Sequence, residues 1–282
     1  MKLRTLTKGT AEETILLATL GAVTLASVLF LFAGILALPV FGLVVLYTGS
    51  LLAYRHYTTT GASVKTFALW LIVVILGLLV GIYRPQNFDY PILFERLRLH
   101  ENGLPYAHYI NTAKLLAGYC TLIILYQTRS KHAATIKGNA KQGLLSVTFA
   151  GGILIVGHKL LGFEHHNKEA SLIFLFGVSN LLVTCVSEEA FMRLLLQEQI
   201  GKYLSTLFRS STANEVMALG IVTLLFAATH GAFTSDAGAV YMMAGFLYGL
   251  MYTLTRNIIV VVLLHFTVNI IHFSFFTYPL AL

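Results

Sequence analysis

Apolar runs long enough to cross a bilayer follow one another almost without interruption from residue 14 to residue 278. A helix needs about 20 mostly apolar residues to span the hydrocarbon core. Only a helix or a closed barrel satisfies every backbone N–H and C=O once water is excluded. The stretch 14–54 is two spans long and is punctuated by Gly34 and Pro39, so it predicts a helical hairpin. Further spans are expected at 64–83, 104–126, 143–163, 171–198, 216–230, 237–255 and 257–278. The expected fold is therefore all-α, a polytopic transmembrane bundle of eight or nine helices.

Composition supports the same conclusion, with 57% hydrophobic and only 11% charged residues, against roughly 25% charged in an average soluble domain. Too few charges are present to cover a soluble surface, so lipid is the expected solvent. No repeat, low-complexity tract or soluble domain is visible. One integral membrane unit is expected, with N-terminal helices and loops over 1–140 and a core over 141–282. The longest connection, 84–105, mixes Glu95, Arg96, Arg98 and Glu101 with Leu93, Phe94, Leu97 and Leu99. It reads as a short interfacial amphipathic helix.

The opening MKLRTLTKGT precedes an apolar run far longer than the 7–15 residues or so of a secretory signal, so it is not read as one. The net charge of +7 is read as orienting the spans rather than binding nucleic acid. The loop 127–142 holds Arg129, Lys131, Lys137 and Lys141 with no acidic neighbour, which places it and the N-terminus in the cytoplasm, as in a bacterial inner-membrane protein. Lipid and a peptide or protein are the expected partners. Cys120 and Cys185 sit inside apolar runs and read as packing residues, and His165 with His166 reads as a solvated turn.

Charged side chains within spans cost at least a few kcal/mol each and mark function. The sixth span places Glu188, Glu189 and Arg193 in an apolar helix, the seventh ends at His230 and Gly231, and the ninth carries His265 and Asn269. Glu189 and Arg193, at i and i+4, share a face as an ion pair. Glu188 points about 100° away and so faces different surroundings. His265 and Asn269, also i and i+4, can present two polar groups to one ligand atom. Each group alone could be interhelical glue. Together they are an expensive way to pack helices.

Glu188, Glu189 and Arg193 fit EExxxR, Phe226 and His230 fit FxxxH, and His265 and Asn269 fit HxxxN. In that order on successive helices, over about residues 172–269, the chain resembles the CPBP family of intramembrane proteases. That family includes CAAX prenyl endopeptidases and bacterial relatives linked to bacteriocin immunity and peptide processing. The resemblance implies an endopeptidase in which Glu188 and His230 activate water and His265 and Asn269 stabilise the oxyanion. Glu189 joins them in the site, with Arg193 and Phe226 in support. For a bacterial protein the expected substrate is a secreted or signalling peptide, or the role is self-immunity, rather than cleavage of a prenylated protein.

The chemistry stands without the analogy, since hydrolysis needs a base for water and donors for the developing oxyanion. No Ser or Cys lies in a nucleophile motif, and Ser187 reads as a packing residue. Zinc is the alternative to a glutamate mechanism, but HExxH is missing and HxxxN offers one good ligand, so no cofactor is expected. Two further readings are a non-catalytic scaffold or immunity protein and a proton-coupled transporter. Tyr241, Tyr248 and Tyr252 share a face of the eighth span and read as packing or interface anchors. One conflict remains. His230 lies about 21 Å along a span starting at Val216, and His265 only about 12 Å beyond Asn257.

Overall fold

The computed structural model describes residues 3–58, 64–99, 105–126, 140–231 and 235–278. Among these are nine helices and one β-hairpin, divided between two compact units. Seven of the helices are long and apolar enough to cross a membrane, which makes the chain an integral membrane protein. The apolar part of the first helix, Leu16–Phe32, and the fourth helix, Thr112–Tyr126, are shorter.

The first unit comprises residues 1–91 with 111–130. It holds α1 (Leu3–Phe32), α2 (Leu38–Thr58), α3 (Val64–Ile82) and α4 (Thr112–Tyr126). The expected hairpin within 14–54 forms where predicted. Gly34 adopts φ +71° and the amides of Ile35 and Leu36 return to the Phe30 carbonyl, closing the C-terminus of α1. Pro39 then occupies the first turn of α2, where its missing N–H costs nothing. Hydroxyls join the helices: Tyr47 bonds Thr121, and Thr112 donates to the Ile35 carbonyl at 2.6 Å.

The second unit comprises residues 92–110 with 131–282. Two expectations fail at its start. Residues 92–98 form strand β1 (Ile92–Arg98), not an amphipathic helix, and pair antiparallel with β2 (Pro105–Tyr109). The span expected at 104–126 consequently becomes helical only at Thr112. The charged and apolar side chains of 92–98 fit a strand pair with two register irregularities, and Pro105 can occupy a strand's first position. Residues 100–104, including Glu101, lie outside the described residues, as do 127–139 with Arg129, Lys131 and Lys137 of the orienting loop.

Five helices follow: α5 (Ala140–Leu161), α6 (Ala170–Leu207), α7 (Ser211–Thr229), α8 (Asp236–Thr255) and α9 (Ile258–Phe275). Helix α8 packs against α5, α7 and α9. Helix α7 starts five residues before the expected Val216, because Ser210 caps it by accepting from the Ala213 amide at 3.2 Å. Hydropathy alone misses that polar first turn. Arg256, at φ 50°, and the cap Asn257, whose side chain accepts from Ile259, make the tight turn into α9. The turn carrying His165 and His166 is tied to the end of α9 rather than simply solvated. His165 bridges to Phe276, and the amides of His166 and Thr277 bond Phe275 and Glu164.

Helix α6 carries the main irregularity. Two π-helical stretches, Asn180–Cys185 and Ala190–Gln197, flank a single α-turn, Val186–Glu189. Each widened turn shifts the phase of the side chains that follow, and such turns gather at functional sites. Both glutamates sit between them.

Candidate active site

Behind the cavity described below runs a chain of buried polar groups. Glu189 and Arg193 are both 0% exposed. One carboxylate oxygen of Glu189 accepts from Arg193 Nε at 2.7 Å, as the i, i+4 spacing predicts. The other accepts from His265 Nδ1 at 2.7 Å, across 76 positions of sequence. Arg193 Nη1 donates to Gln197 Oε1 at 2.9 Å, and Gln197 Nε2 donates to the Gly249 carbonyl and to Thr253 Oγ1 on α8. Gly249 is required there, because a Cβ would stand 2.5 Å from Leu219 Cδ1 and 2.7 Å from Arg193 Nη1. Desolvating the two charges costs several kcal/mol per ion, which the paired geometry offsets.

Glu188 faces the other way, as the 100° step predicts, and lines a cavity of 380 Å³. His230 from the C-terminal cap of α7, and His265 and Asn269 from α9, line the same cavity. Glu189 does not line it. Its contacts are the guanidinium and the imidazole.

Hydrogen bonding assigns the imidazole protons. His230 Nδ1 lies 2.7 Å from the Phe226 carbonyl, which can only accept, so in the neutral ring the proton sits on Nδ1 and Nε2 keeps its lone pair. His265 Nδ1 likewise donates to Glu189, so its Nε2 becomes a donor only in the imidazolium form. Asn269 is held by its own partner: Asn180 Oδ1 accepts one of its amide hydrogens at 3.3 Å, and Cys185 donates to the same oxygen at 3.2 Å. Cys185 is fully buried, in keeping with packing, and adds this contact.

Each imidazole lies against a tyrosine of α8. His230 stacks on Tyr241 with centroids 4.4 Å apart, and His265 on Tyr248 at 4.7 Å. These tyrosines are seven residues apart, about 10 Å along the helix. The two histidines are therefore offset along α8, and both still line the one cavity. Phe226 bridges the gap, its ring 4.5 Å from His230 and 6.2 Å from His265. Helix α7 ends before Gly231, whose φ of +68° turns the chain away.

Residues 170–271 match the family described as type II CAAX prenyl endopeptidase Rce1-like. The match covers 102 of the chain's 282 residues. Members of that family are peptide hydrolases, so the chain is an enzyme acting on a peptide or protein in a membrane setting. No curated protein and no solved structure matches the chain. Among the described residues no three His, Cys, Asp or Glu side chains group in a way that could hold a metal ion.

Several residues around this site escape a sequence reading. Asn180 is an amide in an apolar helix, a signal that intramembrane polarity alone could have raised. Gln197 lies one residue before the expected end of the span 171–198, where a polar side chain raises no signal. Tyr106 and His108, which also line the cavity, come from β2, far outside the matched segment. Burial pushes the His108 imidazole down to about 4.

Proposed function

We propose that this chain is a CAAX-type protease that hydrolyses a peptide bond with water activated by Glu188 and His230, the oxyanion being held by His265 and Asn269. The observation that carries the reading is the shared cavity: these four side chains, from three helices, line one space, while Glu189 and Arg193 stand behind it. His230 Nε2, with its lone pair, takes a proton from water together with the Glu188 carboxylate, and afterwards delivers it to the leaving amine. Asn269 donates an N–H to the oxyanion. His265 donates from Nε2 in the doubly protonated form that this role requires, its ring held by the Nδ1–H bond to Glu189, whose carboxylate is anchored in turn by Arg193. The tyrosine faces fix the planes of both rings. Roles of this kind are worth about 10²–10⁴-fold for an acid or base and 10²–10³-fold for an oxyanion donor.

The proposed mechanism is metal-independent. The proposed setting is a bacterial plasma membrane with the N-terminus in the cytoplasm and all nine helices embedded. Cleavage of farnesylated and unprenylated forms of one internally quenched peptide ending in Cys and three further residues, by protein purified in detergent, tests the reading. Wild type is expected to cleave at least one form with chelator present. Glu188→Gln, which keeps shape and hydrogen bonding but loses the base, is expected to cleave neither. Undiminished cleavage by Glu188→Gln would overturn the mechanism.

A further inference from the structure

Part of the cavity wall comes from a segment that the matched family region does not contain. Strand β2 puts Tyr106 and His108 into the cavity wall from positions more than sixty residues before residue 170. Their placement is fixed by a directed series of hydrogen bonds. The Tyr278 hydroxyl bonds that of Tyr106, and Tyr106 O–H donates to His108 Nδ1 at 2.6 Å. His108 Nε2–H donates to Ser179 Oγ at 2.7 Å, and Ser179 donates to the carbonyls of Leu175 and Phe176. Ser179 immediately precedes Asn180, the residue that holds Asn269. The hairpin is thus pinned beside the proposed oxyanion position.

Packing reinforces the pin. Phe94 of β1 stacks on His108 at 5.2 Å, and Tyr106 meets Tyr278 edge-on at 5.0 Å. Phe94 joins Phe176 and Phe273 in a buried aromatic cluster. The wall is therefore rigid and aromatic. Both His108 nitrogens are committed, so a charged group brought against it would lose water and gain no partner.

We propose that the β1–β2 hairpin is the specificity wall of this protease, with the Tyr106 ring limiting the size of the apolar substrate side chain seated beside the scissile bond. The inference rests on the endopeptidase reading above and adds the residues that select the substrate. In an apolar pocket each methylene gained or excluded changes discrimination by about 10-fold or more, so replacing a tyrosine ring by a methyl should move selectivity rather than rate alone.

The experiment uses the full-length protein and the peptides named above, with Ala, Leu, Phe or Lys after the cysteine, and reads ratios of kcat/KM. Ratios between peptides do not depend on the fraction of enzyme that is folded. Wild type should prefer Ala or Leu and reject Lys. Tyr106→Ala should raise the Phe-to-Ala ratio about 10-fold or more, whereas Tyr106→Phe, which keeps the ring, should hold it within about 3-fold of wild type. Equal scaling of all peptides by Tyr106→Ala, or the same shift from both variants, would overturn the inference while leaving the endopeptidase reading intact. If wild type cleaves no peptide of the series, the endopeptidase reading fails, and this inference with it.

Discussion

The two units of the protein solve helix packing in membranes with different chemistry. In the first, the buried polar side chains among the described residues are hydroxyls: Ser27, Thr66, Thr112 and Thr121, of which Ser27 and Thr112 donate to backbone carbonyls and Thr121 bonds Tyr47. The second buries Glu189, Arg193, Gln197 and His265 in one hydrogen-bonded set, and Asn180 beside Asn269. Neutral hydroxyls are sufficient to join helices, typically contributing about 0.6 kcal/mol per interhelical bond. The charged set in the second unit is thus more than glue, and it lies directly behind the cavity that holds Glu188.

Three substitutions probe that contrast. The largest effect is expected from Glu188→Ala, which should lower kcat by about 10²–10⁴-fold with no change in thermal midpoint, measured in detergent. A fall in midpoint matching the fall in rate would make Glu188 a packing residue like the hydroxyls. Arg193→Met leaves the Glu189 carboxylate buried with only His265 as partner, and should cost about 3–5 kcal/mol of stability by denaturant titration. Thr121→Val in the first unit should cost no more than about 1.7 kcal/mol, and equal costs would erase the distinction between the units.

Gly249→Ala should destabilise by about 1–3 kcal/mol, because its methyl displaces Leu219 or the guanidinium. Tyr248→Leu keeps bulk but removes the face against His265, and should lower kcat by about 3–10-fold with KM little changed. Recovery with Tyr248→Phe would show that the ring, not the hydroxyl, acts.

The smallest effect is one of pH. His108 is depressed from 6.5 to about 4, so the folded protein binds its proton less readily than the unfolded chain. Stability from its hydrogen bonds is complete above the ordinary value and is lost as pH falls through the interval toward about 4. Melting curves at pH 7 and pH 5 should converge for His108→Asn relative to wild type. An unchanged pH response would mean that the hairpin pin does not depend on neutral His108.

Local patterns were legible in the sequence because they depend on neighbours within a turn or two. Gly34 and Pro39 marked the first hairpin, and the spacing of Glu189 and Arg193 gave their ion pair before any packing was known. The step between Glu188 and Glu189 indicated opposite surroundings for the two carboxylates. Segment 92–98 misled because alternating charge and apolarity in a short stretch suits an interfacial helix and a strand alike. Its partner, β2, decides between them.

What the amino-acid order determined by itself was a chain dissolved in lipid, its helical segments, and a set of ionisable residues unsuited to lipid. Only the tertiary structure decided that His265 meets Glu189, that Asn180 supports Asn269, and that β2 lends side chains to the pocket wall. The reason is geometric. Helical phase fixes which side chains share a face, but the widened turns of α6 and the rotation of each helix against its neighbours fix which faces meet, and those depend on contacts far apart in the chain.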